Sequence, residues 1–414
     1  MMNQHMCSLQ YIDQSLTILI FGWPISIAWS IQEVRKGGNQ TVEGTQKRRK
    51  MEEEEGEVAN LNWTLPVPSV QELVRQQRPD AVPPRYLRDD MVMGDRRHQE
   101  SSLGLPCIDL GKLMDPPSRS AELRNLHSAC HQWGLFLLVN HGVSDEGMRM
   151  MKENVQGFFE LPYCEKQKSA QRPGSLEGYG QAFVTSHDQK LEWNDMIFLR
   201  CFPPDARSLE LWPQNPPEFR MALEKYSEYM RKLVVAVVKY IGMALGIHQG
   251  ELDLQMRSFG EGKCEVRMNY YPACPEPERA IGLSPHADIS GITLLTECGN
   301  IPGLQVLSKD NRWVTVPPVP GSIVVNLGQI MEVYSNGTYR APDHRAVVNE
   351  EKERVSIATF FYPGSSLLVG PSPQLLAATG LPPIYRTLSD SEYMQCFFNR
   401  KLDNAVPFID TLKL

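Results

Sequence analysis

Leu283-Ser284-Pro285-His286-Ala287-Asp288-Ile289-Ser290-Gly291-Ile292-Thr293-Leu294-Leu295 is the stretch from which the rest of the chain can be ordered. Gly282 to Pro285 reads as a loop, and Ile292 to Leu295 as a buried strand. On extended backbone, positions i and i+2 share a face, which sets the His286 imidazole beside the Asp288 carboxylate. Alone, such a pair is most often an ordinary hydrogen bond, although it can also close on a metal ion.

Around this stretch the pattern is β. From Glu265 to Val369, short apolar runs are separated by Gly, Pro and Asn: Val266–Tyr271, Ile292–Leu295, Leu304–Leu307, Trp313–Val316, Ser322–Asn326 and Val355–Tyr362. Many short strands with turns at close intervals indicate a sandwich or barrel. Before them, helical signals run over Ser69–Val74, Ser120–Trp133, Asp145–Phe159 and Phe219–Leu245, with strands at Pro106–Leu110 and Gly134–Val139. A helical tail follows at Ser389–Leu402. The expected fold class is mostly β with helices (α+β): a jelly-roll core braced by N-terminal helices and a C-terminal helix.

Two further segments give His286 and Asp288 a chemical context. His344, in Asp343-His344-Arg345-Ala346-Val347, lies between the turn-like Ser335-Asn336-Gly337-Thr338 and the apolar pair Val347-Val348. Arg354-Val355-Ser356 then opens a strand on which Arg354 and Ser356 share a face. Two His and one carboxylate on one side of an ion, with open positions opposite, suit non-haem Fe(II). A guanidinium and a hydroxyl aimed into a barrel suit a carboxylate. Taken singly, Arg354 would be a surface charge in Glu350-Glu351-Lys352-Glu353-Arg354, and His141 in Asn140-His141-Gly142 reads as structural.

Together with Arg267-Met268-Asn269-Tyr270-Tyr271-Pro272-Ala273-Cys274-Pro275, these segments resemble the plant 2-oxoglutarate- and Fe(II)-dependent dioxygenases. The likeness is to the branch of senescence-related-protein-like enzymes, alkaloid O-demethylases and norcoclaurine-synthase-like proteins, and it runs from about Val67 to the C-terminus. It implies a double-stranded β-helix. It also implies Fe(2+) on His286, Asp288 and His344, with 2-oxoglutarate on Arg354, Ser356, Asn269 and Tyr271. O2 is the second co-substrate, ascorbate supports activity, and succinate and CO2 are released as a C–H bond is hydroxylated. Hydroxylation of an O-methyl group would give O-demethylation. The implied substrate is a small aromatic secondary metabolite or indoleamine. Phe360, Tyr179, Phe136 and Arg267 are candidates to contact it, and packing is the alternative for each aromatic.

Net charge is −7 over 414 residues, with acids and bases mixed, so no basic face recommends nucleic acid or an anionic membrane. The nine Cys form no CxxC and no regular framework, which points to reduced thiols inside a cell, with Cys274 as packing. Leu16–Ile31 is apolar but is broken by Gly22 and Pro24 and has no Lys or Arg before it. Residues 1–50 are read as an over-extended start or a targeting segment, since a start at Met51 leaves a chain of the family's usual size. The Asn-x-Thr triplets at Asn39, Asn62 and Asn336 carry no meaning in an intracellular protein. The expected organisation is 1–50 extension, 51–104 arm and helix, 105–255 N-terminal dioxygenase region, 256–370 jelly-roll core and 371–414 tail. The protein is expected to be a cytoplasmic monomer, or chloroplastic if the leader is real. Its partner is a small molecule, not nucleic acid or membrane.

Two other activities on the same fold compete. One is a hormone-metabolising oxidase, either of the gibberellin type, which calls for an extra pocket cation, or of the aminocyclopropane-carboxylate type, which usually has Pro where Tyr271 stands. The other is a non-catalytic binding protein, which predicts a broken triad or a broken Arg-x-Ser; all five positions are intact.

Overall fold

The structure is a computed structural model that describes residues 65–77, 80–89, 104–400 and 406–414, and the backbone of Leu19–Ile20 and Trp23–Pro24. The chain divides into two units, Met1–Glu55 and Gly56–Leu414. In the first, β1 (Leu19–Ile20) and β2 (Trp23–Pro24) pair antiparallel. The rest of the 1–50 extension, most of Leu16–Ile31, and the triplets at Asn39 and Asn62 lie outside the described residues. No helix of the described residues is long and apolar enough to cross a membrane.

In the second unit the helices start where a side chain can take the free N–H groups of the first turn. Helix α1 (Val70–Gln77) follows Ser69, whose hydroxyl accepts from the Glu72 N–H at 3.2 Å. After α2 (Leu110–Met114), α3 (Pro116–Gln132) begins at the Asp115 cap, ahead of the Ser120 start that apolar periodicity alone indicates. Proline at the first helical position explains the earlier start, because its missing N–H costs nothing there. Ser144 caps α4 (Asp145–Glu160), and the short α5 is Tyr163–Lys166. Helix α6 (Phe219–Leu245) stops at Gly246, whose φ of 85° favours a residue without a Cβ. Helix α7 (Gln249–Glu261), not anticipated from the sequence, packs beside it.

The large sheet has eight strands in the order β3 (Cys107–Asp109), β4 (Leu135–Val139), β12 (Ile323–Leu327), β9 (Ile292–Glu297), β14 (Arg354–Phe361), β7 (Cys264–Tyr271), β6 (Asp195–Phe202) and β5 (Gly178–Gly180). The small sheet has the order β11 (Trp313–Thr315), β10 (Leu304–Leu307), β13 (His344–Ala346) and β8 (Leu283–His286), so β8 is an edge. All pairings are antiparallel except β3 with β4. Four strands of the large sheet come from residues before 255, so hydrogen bonding runs straight across the expected 255/256 division.

Strand alternation gives the large sheet two different faces. Phe136, Leu138, Val266, Met268, Val325, Val355 and Ile357 face outward onto the helices, where they share a core with Phe219, Tyr226, Val234 and Ile241 of α6. The inner face turns Leu135, Leu137 and Val324 toward Leu304, Val306 and Val316 of the small sheet side. Each such apolar side chain, fully buried, contributes about 1.5–3 kcal/mol. One short helix follows β12 and two follow β14. Helix α8 is Gln329–Tyr334, α9 is Pro373–Thr379, and α10 (Asp390–Phe398) is closed by a Ser389/Glu392 capping box. Tyr393 and Phe397 of α10 pack in a cluster reached by Ile289 and Phe360, and the Tyr393 hydroxyl donates to the Ile289 carbonyl at 2.9 Å.

Candidate active site

The His286 and His344 Cα atoms are register partners across β8 and β13, and their rings lie 4.3 Å apart between centroids. Asp288 sits just past β8, where the chain crosses to β9 of the large sheet. His286 Nε2 is 3.6 Å and His344 Nε2 3.8 Å from Asp288 Oδ1. The ligating atoms of the three residues all lie within 4.8 Å of one another, close enough to share one ion.

Every other polar atom of these side chains is turned away. His286 Nδ1 donates to the Ser284 carbonyl at 2.8 Å, and His344 Nδ1 to the Pro342 carbonyl at 3.1 Å. A carbonyl only accepts, so each ring keeps its proton on Nδ1 and presents the Nε2 lone pair. Asp288 Oδ2 accepts from the Thr293 hydroxyl at 2.5 Å and from Asn326 Nδ2 at 2.8 Å, which leaves Oδ1 free. Burial, then repulsion from His344, hold His286 down at about 4. Burial pushes the Asp288 carboxyl up, but His344, His286, Thr293 and Asn326 together outweigh it and hold it below the usual range. Both groups are thus in the ligating protonation state at neutral pH.

On the inner face of the large sheet, Arg354 is the register partner of Tyr271, and Ser356 lies between Asn269 and Glu297. Arg354 is 5 % exposed and its guanidinium stacks 5.0 Å from the Tyr271 ring centre. Its stem fits because residue 303 is glycine: a Cβ there would meet Arg354 Cδ at 2.6 Å. Arg354 Nη1 is buried with no hydrogen-bond partner among the described residues, which fits it to donate to a bound acid group. Asn269 Nδ2 reaches the Ser356 hydroxyl at 3.5 Å, and its Oδ1 accepts from Arg267 Nε at 2.7 Å. Burial is the main cause that raises the Tyr271 hydroxyl, with Arg354 and Arg267 opposing it.

The structure brings three of the expected site residues together in the triad and sets four more, Arg354, Ser356, Asn269 and Tyr271, on the inner face of the large sheet, which Arg267 and Phe360 share. Phe360 is half-buried opposite Phe198, with ring centroids 6.4 Å apart. Phe136 and Tyr179 do not belong there. Phe136 alternates to the outer face and is 1 % exposed in the helix-side core. Tyr179 pairs with Ile197, packs on Phe158 and donates to the Ser69 hydroxyl at 3.2 Å. His141 bonds the Gly321 carbonyl and the Val143 N–H, and Cys274 is fully buried, so both are structural. Asn336 uses its amide on Pro382 and Ile384, as a turn residue.

Sequence reasoning missed Thr293, Asn326, Glu297 and Phe198. Asn326 did leave a signal: it is the single polar residue in the strand Ile323-Val324-Val325-Asn326-Leu327.

The comparisons with known proteins agree with this geometry. Residues 105–216 match the family model described as non-haem dioxygenase in morphine synthesis N-terminal, and residues 263–363 the model described as 2OG-Fe(II) oxygenase superfamily. Protein SRG1 of Arabidopsis thaliana is 40 % identical over 349 residues, covering 84 % of this chain and 96 % of its own. Oxoglutarate-dependent flavonoid 7-O-demethylase 1 of Ocimum basilicum is 38 % identical over 356 residues, covering 86 % and 93 %. Among solved structures, JOX2 in complex with 2OG, Fe and JA superposes with a TM-score of 0.74 at 32 % identity, covering 85 % of this chain and 99 % of that one. Convergent ligand atoms, an unmet guanidinium donor and relatives along the chain's length agree: the chain belongs to the 2-oxoglutarate- and Fe(II)-dependent dioxygenases, and is an oxidoreductase with iron and 2-oxoglutarate as its cofactor and co-substrate.

Proposed function

We propose that His286, Asp288 and His344 hold the ferrous ion, and that Arg354, Ser356, Asn269 and Tyr271 receive the far carboxylate of 2-oxoglutarate. The observation that carries this reading is the orientation of the triad: three free ligand atoms converge while their other polar atoms are hydrogen-bonded elsewhere. When bound, the iron couples O2 reduction to decarboxylation of 2-oxoglutarate and oxidation of a C–H bond. The balance is substrate C–H plus O2 plus 2-oxoglutarate giving substrate C–OH, succinate and CO2. The protein's part is to fix and shield. The Ser284 and Pro342 carbonyls hold both imidazoles in one tautomer, Thr293 and Asn326 hold the carboxylate, and Arg354 waits with an unpaired N–H.

The substrate we infer is a small, flat, largely apolar aromatic plant metabolite, of the flavonoid, alkaloid or indoleamine kind. Phe360 and Phe198, with Ile289 and Phe183 nearby, supply aromatic and apolar wall. The demethylase relative supports an O-methyl group as one target; hydroxylation there collapses to formaldehyde and a free hydroxyl. Arg267 favours a second reading, a substrate that carries an acid group. Its side chain lies on the inner face at the triad and forms no ion pair among the described residues. We infer a monomer acting on small molecules in the cytoplasm, with 105–255 and 256–370 cooperating in one catalytic body.

The test is a substrate screen with purified protein, Fe(II), ascorbate and 2-oxoglutarate, followed by succinate release. Substrate-stimulated succinate is expected, with carboxylated and neutral members of each pair separating the two readings. Turnover without any 2-oxoglutarate requirement would refute the assignment.

A further inference from the structure

Glu297, at the end of β9, holds the co-substrate anchor in a way the catalytic scheme does not require. Its Oε2 accepts from Arg354 Nε at 3.1 Å and its Oε1 from Nη2 at 2.6 Å, a two-bond clasp. Both partners are removed from water, with side chains 5 % and 13 % exposed for Arg354 and Glu297. Nη1, on the far side of the guanidinium, has no hydrogen-bond partner among the described residues. Glu297 also stands opposite Ser356 in the β9–β14 register, on the face that carries the receptor.

Two consequences follow from charge and geometry. The clasp occupies the Nε edge of the guanidinium, so only its end, Nη1 and the second Nη2 proton, is presented to an incoming carboxylate. It also places a fixed negative charge beside the one cation that must attract a second one. We propose that Glu297 is a positioning residue that orients Arg354 and, at the same time, weakens the grip on the far carboxylate of 2-oxoglutarate. It acts as a built-in competitor that makes turnover responsive to the 2-oxoglutarate concentration. This rests on the reading of Arg354 as the co-substrate anchor.

The experiment is an anaerobic calorimetric titration of the Fe(II)-loaded full chain with 2-oxoglutarate and with 2-oxopentanoate, which lacks the far carboxylate. Removing one charge a few ångströms from the bound anion, discounted for screening, predicts roughly ten-fold tighter 2-oxoglutarate binding in Glu297→Gln. Binding of 2-oxopentanoate should stay unchanged, which a merely structural effect on the pocket would not produce. Glu297→Met serves as a second variant, removing the charge with the clasp, and thermal melting confirms that both are folded. Equal or weaker 2-oxoglutarate binding in both variants overturns the proposal. Arg354→Met is the control on the underlying reading: it must lose 2-oxoglutarate affinity but keep 2-oxopentanoate affinity. If 2-oxoglutarate binds it as well as wild type, the anchor assignment fails instead.

Discussion

Replacing Asn326 by Leu separates presetting of the metal ligand from simple stability. Asn326 is 4 % exposed in an apolar strand, so a leucine of similar size leaves no large cavity. What disappears is the 2.8 Å bond to Asp288 Oδ2, leaving the Thr293 hydroxyl as the side-chain donor to that oxygen. A hydrogen bond to a charged group is worth about 1.5–3 kcal/mol, and that is the expected loss in unfolding free energy without metal. Asp288 would then turn more freely, and its carboxyl would rise because one of the bonds that lower it is gone. Both effects work against the ion, and outer partners of ligands typically matter by about 10–100-fold in metal affinity. We therefore expect Fe(II) affinity to fall by about that factor. Anaerobic competition against a chelator reads the affinity, and denaturant unfolding of the metal-free protein reads the stability. If stability falls as expected while iron binds within three-fold of wild type, Oδ1 is not preset by its neighbour and the reasoning is wrong.

Other outcomes follow from the same structure. His286→Ala and Asp288→Ala should each abolish iron binding and turnover; full activity in Asp288→Ala would remove the triad assignment. Arg354→Ala should keep iron, raise the KM for 2-oxoglutarate, and destabilise the fold by about 3 kcal/mol because Glu297 is stranded. Chemical denaturation beside steady-state kinetics measures both effects. Asp195 is a pH probe outside the triad: its carboxylate accepts from Ser69 Oγ and the Val70 and Gln71 N–H groups at the start of α1. Burial, partly offset by those bonds, raises it from 3.8 to about 6. The folded protein therefore binds this proton more tightly than the unfolded chain. Its contribution is full below pH 3.8 and lost as pH rises through about 6, on the order of 3 kcal/mol. The stability of wild type relative to Asp195→Asn should fall between pH 3.8 and about 6 and flatten above; a flat difference refutes the shift. Phe360→Ala should raise the KM of an aromatic substrate roughly ten-fold, whereas Tyr179→Phe and Phe136→Leu should leave kcat/KM within about two-fold of wild type.

How much of this could be read beforehand depended on whether the signal was local. The strands of the barrel carry their own apolar runs and turn residues, so β7, β9, β10, β12 and β14 fall within a few residues of their expected positions. Helix α6 matches at both ends because a long amphipathic pattern meets a glycine stop. Strand β6, by contrast, is recruited into the sheet by β7 and had no alternation that set it apart. The Arg-x-Ser pair was legible because spacing of two on a strand is itself a geometric statement, whereas the triad needed the family resemblance: Asp288 lies past the end of β8 and His344 comes from β13. The failures of Phe136 and Tyr179 have the same origin: which face of a strand looks inward is settled by its partner. Phe136 pairs with Val325, an outward residue. Glu297 could not be anticipated either, because its partner is 57 residues away and the clasp exists only once β9 and β14 are neighbours.

Strand β8, which carries His286, is a sheet edge with hydrogen-bonded backbone on one side only. Its outer side is closed by side chains: Glu192 accepts the Ser284 N–H at 2.7 Å, Asn194 bonds the Gly282 carbonyl, and Arg88 donates to the Ser284 hydroxyl at 2.9 Å. One of the three ligands is thereby mounted on a hinged plank, while Asp288 and His344 are fastened to interior framework. Releasing β8 alone would break one strand pairing and these three side-chain bonds, and would leave the pairings between the other strands of both sheets in place.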